Sequence, residues 1–213
     1  MKLIANRCFV IAKNTRRYDY SILSGAGEAM GNELNSSIIK AIKADLRASM
    51  NGVLSARMRE AGMPYKLIFG VELPRLQSIA QEFTKDKDLA NQLWQENIRE
   101  TRLLAIMLMP PEAFSTEMSR KWAETMVTAE EAQVIAMMLL PKTKQAKEIS
   151  LAWLKEGKPL PATCACLSLR HLLIQGVIIN EKEQILDDCK RLLPDANLHL
   201  RKAIQALTTA LEE

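Results

Sequence analysis

The chain has little of what metal sites, disulfide frameworks and membrane spans require. Its 213 residues include only four Cys and two His, and none of them stand at the spacing of paired zinc ligands. No stretch approaches the ~20 consecutive apolar residues that cross a bilayer. We therefore expect no metal, no cofactor and no membrane partner. We also expect a cytoplasmic protein whose cysteines are reduced and mostly buried.

Glycine, proline and aromatic residues are scarce as well. There are eight Gly and eight Pro, and aromatic residues make up 5% of the chain, whereas 48% of it is hydrophobic and 11 residues are Met. This composition favours helices that pack through aliphatic side chains. The 29 Lys and Arg against 25 Asp and Glu give a net charge of +4, which is compatible with nucleic acid but too small to indicate it.

The first thirty residues differ from the rest of the chain. A brief apolar run, Cys8 to Ala12, is followed by a basic cluster and then a Gly-rich segment. The apolar run is too short for a signal peptide. We interpret residues 1–30 as a poorly ordered extension outside the fold, or as the product of a misplaced start whose true first residue is Met30. The predicted repeat domain is 31–213.

The stretch Lys66 to Met109 holds three helical patterns with short connections. Apolar residues recur at helical spacing behind Pro74, and a second apolar face includes Leu93 and Trp94. From Leu103 the third pattern is apolar nearly all round, which is typical of a helix buried between others.

Similar helical patterns fill the rest of the chain, and no strand-like alternation competes with them. They come in consecutive pairs that are separated by short segments containing Pro, Gly and Asn. This layout predicts an all-α fold, a HEAT-like or armadillo-like α-solenoid of stacked antiparallel helix pairs. A compact helical bundle is the alternative. The predicted details include a first helix with one face at Leu34, Ile38, Ala41, Ile42, Asp45 and Ser49. They also include a break at Gly157, Pro159 and Pro161, and helix starts at a Thr128–Glu131 capping box, at Asn180 and at Pro194-Asp195.

Two segments of the central stretch, YKLIFGVELPRLQSIA and DLANQLWQENIRETRLLAIML, together resemble the signature of the bacterial DNA alkylation repair family. The resemblance extends more weakly over roughly Met50 to Leu211. The matching elements are Phe69-Gly70-Val71, Pro74, Leu76, Leu89-Ala90, Leu93-Trp94, Ile98-Arg99-Glu100, Arg102 and Ala105.

The resemblance implies alkylpurine DNA glycosylases built from HEAT-like repeats. In that family the second helix of each pair lines a concave face that cradles duplex DNA. An Asp assists water and the departing base, Trp side chains lie against the deoxyribose, and Arg side chains hold the backbone. A carboxylate stabilises the developing sugar cation, aromatic faces attract it, and Arg grips phosphate with two hydrogen bonds.

The family's functional groups are replaced at the corresponding positions of this chain. By resemblance, the Trp and Asp positions fall on Ala129 and Gln133, and a final aromatic falls on Ala206. No Asp occurs between Asp88 and Asp187, so only Glu130 or Glu131 is left as a fallback carboxylate. The family's Arg positions fall on Ala162 and Thr163. We therefore assign no catalytic residue, and glycosylase activity is left undecided.

The candidate DNA-binding residues have simpler structural alternatives. Glu100 with Arg99 and Arg102 suits a buried ion pair, and Glu130 and Glu131 suit a helix cap. The Trp residues suit packing, and the lysines from Lys142 to Lys155 suit a solvated face. The DNA-binding candidates are Arg99, Arg102, Thr163, Arg170, Arg201 and Lys202.

Three hypotheses about function follow. The first is a DNA-repair-associated HEAT-like protein that binds duplex DNA on a concave face but has degenerate catalytic positions, and this is the one we favour. The second is active excision of alkylated purines. The third is a non-catalytic scaffold with a protein partner.

Overall fold

A computed structural model describes residues 28–178 and 180–212, with side chains from residue 33 onward. The all-α prediction is confirmed, because every regular element in these ranges is a helix. Outside the helices, Leu67 and Ile98 form an isolated parallel β-bridge. The α-helices are α1 (Glu28–Ala48), α2 (Gly52–Glu60), α3 (Leu73–Gln81), α4 (Lys87–Gln95), α5 (Arg99–Leu108), α6 (Thr116–Thr125), α7 (Ala129–Val134), α8 (Ala146–Glu156), α9 (Pro159–Ile174), α10 (Lys182–Leu192) and α11 (Leu198–Glu212).

The chain divides into two compact units, the first ending at Met109 and the second beginning at Pro110. This division does not distinguish one repeat array from two separate domains, because a repeat array is itself built of stacked units. A single repeat domain over 31–213 therefore stays a prediction. The predicted extension, residues 1–30, lies outside the described residues except at its end, where α1 already begins at Glu28.

In the first unit, α5 is the central helix. It packs against α3 and α4, and α1 packs on α4. All ten residues of α5 are buried, including its charged first turn, which confirms the prediction of a helix enclosed by others. The preceding helix starts where Asp86 caps it, because the carboxylate accepts a 2.7 Å hydrogen bond from the Leu89 amide.

In the second unit, α9 is the central helix, because it packs against α7, α8 and α11. The helix α10 packs against α8 and α11. Only Gly157 and Lys158 separate α8 from α9, so the two helices run in opposite directions. The second helices of the two successive pairs, α9 and α11, thus pack against each other, and so do the first helices, α8 and α10.

Several predicted details need correction. The first helix buries Asn35, Ile38, Ile42 and Leu46, while Asp45 and Ser49 are only half-buried. The predicted break is confirmed at Gly157, which ends α8 with a φ of +75°. Pro159 and Pro161, however, lie in the first turn of α9, where their missing amide hydrogens have no helical partner to lose.

The starts of the last two helices also differ from prediction. The residue that precedes α10 is Glu181, rather than Asn180. The final helix begins at Leu198, not at Pro194-Asp195, because Asn197 accepts a 2.9 Å hydrogen bond from the Leu200 amide.

A π-helical turn, Ile135–Leu139, follows α7 directly and leads into a 3-10 turn, Leu140–Lys142. Its wider spacing keeps Ile135, Ala136 and Leu139 buried while Met137 is exposed. The sequence pattern did not indicate this turn. Within the described ranges, no helix is long and apolar enough to cross a membrane.

Candidate nucleic-acid interface

The second unit has an open groove between α9 and α11 with a volume of about 290 Å³. Its lining residues are Arg170, Lys202, Gln205, Ala206 and Thr209. The last four recur at three- and four-residue spacing, so they share one face of α11. The opposite face carries the apolar residues Ala203, Ile204 and Leu207, and their burial against the rest of the unit turns the polar stripe outward. We call this site the basic groove.

The basic groove carries positive charge without a balancing carboxylate among its lining residues. Arg170 and Lys202 are both exposed, and the five lining residues include no Asp or Glu. Gln205 and Thr209 add neutral hydrogen-bonding groups. A depression with these groups favours an anion with several oxygen atoms, such as phosphate.

Two further polar groups lie beside these residues in sequence. Arg201 is exposed, and one of its guanidinium nitrogens donates a 3.4 Å hydrogen bond to the Ala196 carbonyl. The His171 ring is exposed, and its Nε2 lies 2.9 Å from the amide nitrogen of Gln175. Neither Arg201 nor His171 lines the groove.

The residues that the resemblance places at the family's catalytic and Arg positions differ in their exposure. Ala206 lies in the basic groove, Gln133 is exposed on α7, and Ala129 is half-buried at the start of that helix. Ala162 and Thr163 are buried, and the Thr163 hydroxyl donates a 2.7 Å hydrogen bond to the Pro159 carbonyl. Thr163 therefore does not lie on a surface that DNA reaches, which corrects its prediction as a DNA-binding residue.

The helix-cap interpretation of Glu131 is confirmed. Its carboxylate is fully buried and accepts a 2.8 Å hydrogen bond from the Val127 amide, while the Thr128 hydroxyl accepts one from the Glu131 amide at 3.3 Å. These two bonds satisfy amides at the start of α7. Glu130, the other fallback carboxylate, is half-buried.

Arg99 and Glu100 form an ion pair in the interior of the first unit. One Arg99 guanidinium nitrogen lies 2.9 Å from Glu100 Oε1 and donates a second 2.9 Å bond to the Val71 carbonyl. The Glu100 carboxylate also accepts hydrogen bonds from three successive backbone amides, those of Phe69, Gly70 and Val71. The predicted buried ion pair is confirmed, and Arg99 is not on a DNA-accessible surface.

Arg102 is buried as well, against the indole of Trp94. Its guanidinium carbon lies 3.9 Å from the ring centroid, and the same group donates a 3.1 Å hydrogen bond to the Trp94 carbonyl. Such stacking uses the cation within the protein. The DNA-binding prediction for Arg102 is corrected for the same reason as for Arg99. The predicted packing role of Trp94, Trp122 and Trp153 is confirmed, since all three are buried.

The first unit has a larger open depression of about 720 Å³ that contains none of the predicted site residues. Its charged lining residues are Lys66 and Glu96, and Glu96 is paired with Lys43 at 2.7 Å. The nearly balanced charge makes it a poorer phosphate site than the basic groove. The remaining lining residues are Ile39, Leu67, Gln92, Gln95, Asn97 and Ile98.

The cysteines of the second unit are enclosed in its interior. Cys164, Cys166 and Cys189 are free thiols and buried, which confirms the prediction for these three, while Cys8 lies outside the described residues. Burial raises the pKa of Cys164. A hydrogen bond between the Cys166 and Cys189 thiols raises the pKa of the first and lowers that of the second. Among the described residues, no three His, Cys, Asp or Glu side chains converge as metal ligands.

The sequence did not single out Gln205 and Thr209. A signal for them exists, because they continue the stripe that begins at Lys202 at helical spacing. Choosing that stripe, however, requires knowing which face of α11 packs on α9.

Comparison with known proteins gives one family and one similar structure. Residues 42–207 match the family described as "DNA alkylation repair enzyme", whereas no curated protein matches the chain significantly. A solved structure described as "A new family of proteins related to the HEAT-like repeat DNA glycosylases with affinity for branched DNA structures" is 17% identical to the chain. The match covers 81% of this chain and 74% of that one, with a TM-score of 0.66. The likeness confirms the predicted HEAT-like repeat fold.

Proposed function

Because the chain belongs to the DNA alkylation repair enzyme family, we propose that it is a DNA-repair-associated protein that binds DNA through the basic groove and lacks the family's Asp-assisted base excision. The similar solved structure is described as having affinity for branched DNA. We extend DNA binding, including binding to branched DNA, to this chain as part of the proposal.

One observation carries the proposal: Arg170 and Lys202, both predicted as DNA-binding residues, line the same groove, and the alanine at the family's aromatic position, Ala206, lines it with them. Two exposed cations on neighbouring helices suit two phosphates of one strand, because each releases condensed counterions when it pairs with a phosphate. Gln205 and Thr209 supply donors of the kind that fix the position of a nucleic-acid backbone.

The absence of a suitable carboxylate supports the second half of the proposal. Excision of an alkylated base needs a carboxylate that stabilises the sugar cation and activates water. By the resemblance, the family's Asp position falls on Gln133, and the groove lining contains no acid. Of the two fallback residues, Glu131 is buried within the cap of α7 and is already a hydrogen-bond acceptor there.

DNA binding is tested by fluorescence anisotropy over a series of salt concentrations. We expect the purified protein to bind duplex or branched DNA, and the double substitution Arg170→Ala, Lys202→Ala to weaken binding. The slope of log affinity against log salt should fall by about 1 for each phosphate that no longer pairs with a cation of the protein.

The matched control is the double substitution Lys142→Ala, Lys144→Ala. It removes the same charge from lysines of the second unit that lie outside the groove lining. It should leave the salt slope unchanged. Absence of DNA binding at low salt, or equal losses of affinity in both double variants, would refute the role of the basic groove.

Catalysis is tested separately with duplex DNA that contains 7-methylguanine or 3-methyladenine. We expect no base release. If base is released, and Glu130→Gln or Glu131→Gln abolishes the release, the alternative of active excision replaces the second half of the proposal.

A further inference from the structure

Three of the most exposed hydrophobic side chains among the described residues lie on neighbouring elements of the second unit. Four large hydrophobic residues in the described part of the chain are more than 60% exposed: Val53 (66%), Met137 (68%), Ile174 (68%) and Leu198 (63%). The last three lie on the π-helical turn after α7, on α9 and on α11. These elements pack side by side. Single exposed hydrophobic residues are common, so it is the position of Ile174 and Leu198 beside the groove cations that sets these two apart.

Two of these residues lie next to the cations of the basic groove. Ile174 follows Arg170 by four residues on α9, and Leu198 precedes Lys202 by four residues on α11. Residues four apart are neighbours on a helix surface, with about 5–6 Å between their Cβ atoms. Each groove cation therefore has an exposed aliphatic side chain one helical turn away.

This pairing of cation and aliphatic side chain suits some DNA ligands better than others. The outside of a continuous duplex presents charged phosphates and sugars, and its base faces are covered by stacking. At a junction or an unpaired position, base faces become accessible, and apolar side chains such as Ile, Leu and Met contact them there.

We propose that Ile174 and Leu198 contact unstacked bases beside the phosphates held by Arg170 and Lys202, so that the groove selects DNA with unpaired bases over continuous duplex. This inference rests on the proposed DNA-binding function, which already includes branched DNA, and adds the side chains that recognise the unpaired bases of such a ligand. Electrostatic complementarity favours DNA as the occupant of this surface. Each aliphatic side chain lies beside a groove cation, and the groove lining contains no carboxylate that would neutralise these cations.

The test compares two DNAs with equal numbers of phosphates, a continuous duplex and a three-way junction with unpaired bases at its centre. We expect tighter binding to the junction. Ile174→Ser and Leu198→Ser should each weaken junction binding roughly fivefold, the fold-change that partial burial of an aliphatic side chain produces. Duplex affinity should stay the same, so the junction-to-duplex ratio should fall.

Val53→Ser is the matched control, because Val53 is similarly exposed but belongs to the first unit. It should leave both affinities unchanged. A second readout places 2-aminopurine at the unpaired position of the junction. Its fluorescence should change on binding of the unsubstituted protein and less on binding of Ile174→Ser or Leu198→Ser.

The outcomes separate this inference from the function on which it rests. If both DNAs bind and Arg170→Ala, Lys202→Ala weakens both, while the serine variants keep the junction-to-duplex ratio, the proposed function stands and the selection of unpaired bases is overturned. If neither DNA binds, both proposals fail, and an acidic protein segment replaces DNA as the occupant of the surface.

Discussion

The substitution Glu100→Gln tests the most heavily bonded side chain of the first unit. Oε1 of Glu100 accepts hydrogen bonds from the Gly70 amide (2.9 Å), the Val71 amide (3.3 Å) and Arg99 (2.9 Å), and Oε2 accepts one from the Phe69 amide (3.0 Å). The carboxylate is fully buried. Glutamine keeps the shape of the side chain but has one acceptor oxygen and no charge.

The expected loss follows from these bonds. If the amide oxygen of glutamine replaces Oε1, its NH₂ group meets the Phe69 amide, and one buried donor loses its acceptor at a cost of about 1–3 kcal/mol. The Arg99 guanidinium also loses its counter-charge, and removal of one partner from a buried ion pair costs about 3–5 kcal/mol. These costs overlap because they describe the same buried groups. We therefore expect the free energy of unfolding of the first unit to fall by about 3–5 kcal/mol.

Urea unfolding with hydrogen exchange at the amides of residues 69–71 measures this loss. Glu96→Gln is the matched control, because Glu96 forms a partly exposed ion pair with Lys43, and such pairs contribute below about 1 kcal/mol. Glu100→Asp, which keeps the charge, should lose less than Glu100→Gln. Equal stabilities of Glu100→Gln and Glu96→Gln, or unchanged exchange at residues 69–71, would refute the role assigned to the buried carboxylate.

Two further predictions concern backbone conformation and pH. Gly70 has a φ of +74°, and a Cβ at this position would lie 2.6 Å from the Ser55 amide nitrogen and would also clash with the Asn51 carbonyl. Gly62 has a similar φ of +76°, but a Cβ there would meet open space. In urea unfolding, Gly62→Ala should therefore lose about 1–2 kcal/mol for the left-handed conformation alone, and Gly70→Ala should lose clearly more; equal losses would show that the close approach carries no cost. Burial raises the pKa of Cys164 above the ordinary 9.0, so the unfolded state releases this proton first and the stability contributed by the neutral thiol, complete below pH 9.0, is lost as the pH rises. Between pH 8 and pH 10, Cys164→Ala should therefore lose about 1.4 kcal/mol less than the unsubstituted protein, and an equal loss would indicate that Cys164 does not ionise on unfolding.

Helices with a long apolar pattern were predictable from the sequence. The enclosure of α5 follows from its continuous apolar residues. The buried faces of α8 and α11 follow from helical spacing, since Ile149 and Trp153 on α8 and Leu200 and Leu207 on α11 are all buried. In each case, hydrophobic burial dominates the local free energy, so periodicity alone determines the face.

Helix ends and the π-helical turn were less predictable, because competing local groups decide them. Asn180 and Asn197 are equally good capping residues by type, but the residue before α10 is Glu181, whereas Asn197 accepts a capping bond from α11. The turn at Ile135–Leu139 packs against α9, and the periodicity of α7 alone does not reveal such a contact between residues distant in sequence.

The residues of the candidate site were also predictable only in part. Arg170 and Lys202 were identified as cations on second helices, and the fold brings them to one groove. Arg99 and Arg102 looked equally suitable, because an Arg next to a Glu on a helix is compatible with either a surface or an interior ion pair. The choice between a surface and an interior ion pair depends on loop residues 69–71, which lie outside α5 and donate their amide hydrogens to the Glu100 carboxylate.

That arrangement also constrains the order in which the first unit assembles. The amides of Phe69, Gly70 and Val71 precede their common acceptor by about 30 residues, so during synthesis the loop leaves the ribosome well before Glu100 does. The closing of such a distant contact is slower than the formation of a local helix. The loop between α2 and α3 therefore completes these three hydrogen bonds only when Glu100, at the start of α5, reaches it. One element of the family signature, Phe69-Gly70-Val71, thus depends for its hydrogen bonds on another signature residue about 30 positions later in the chain.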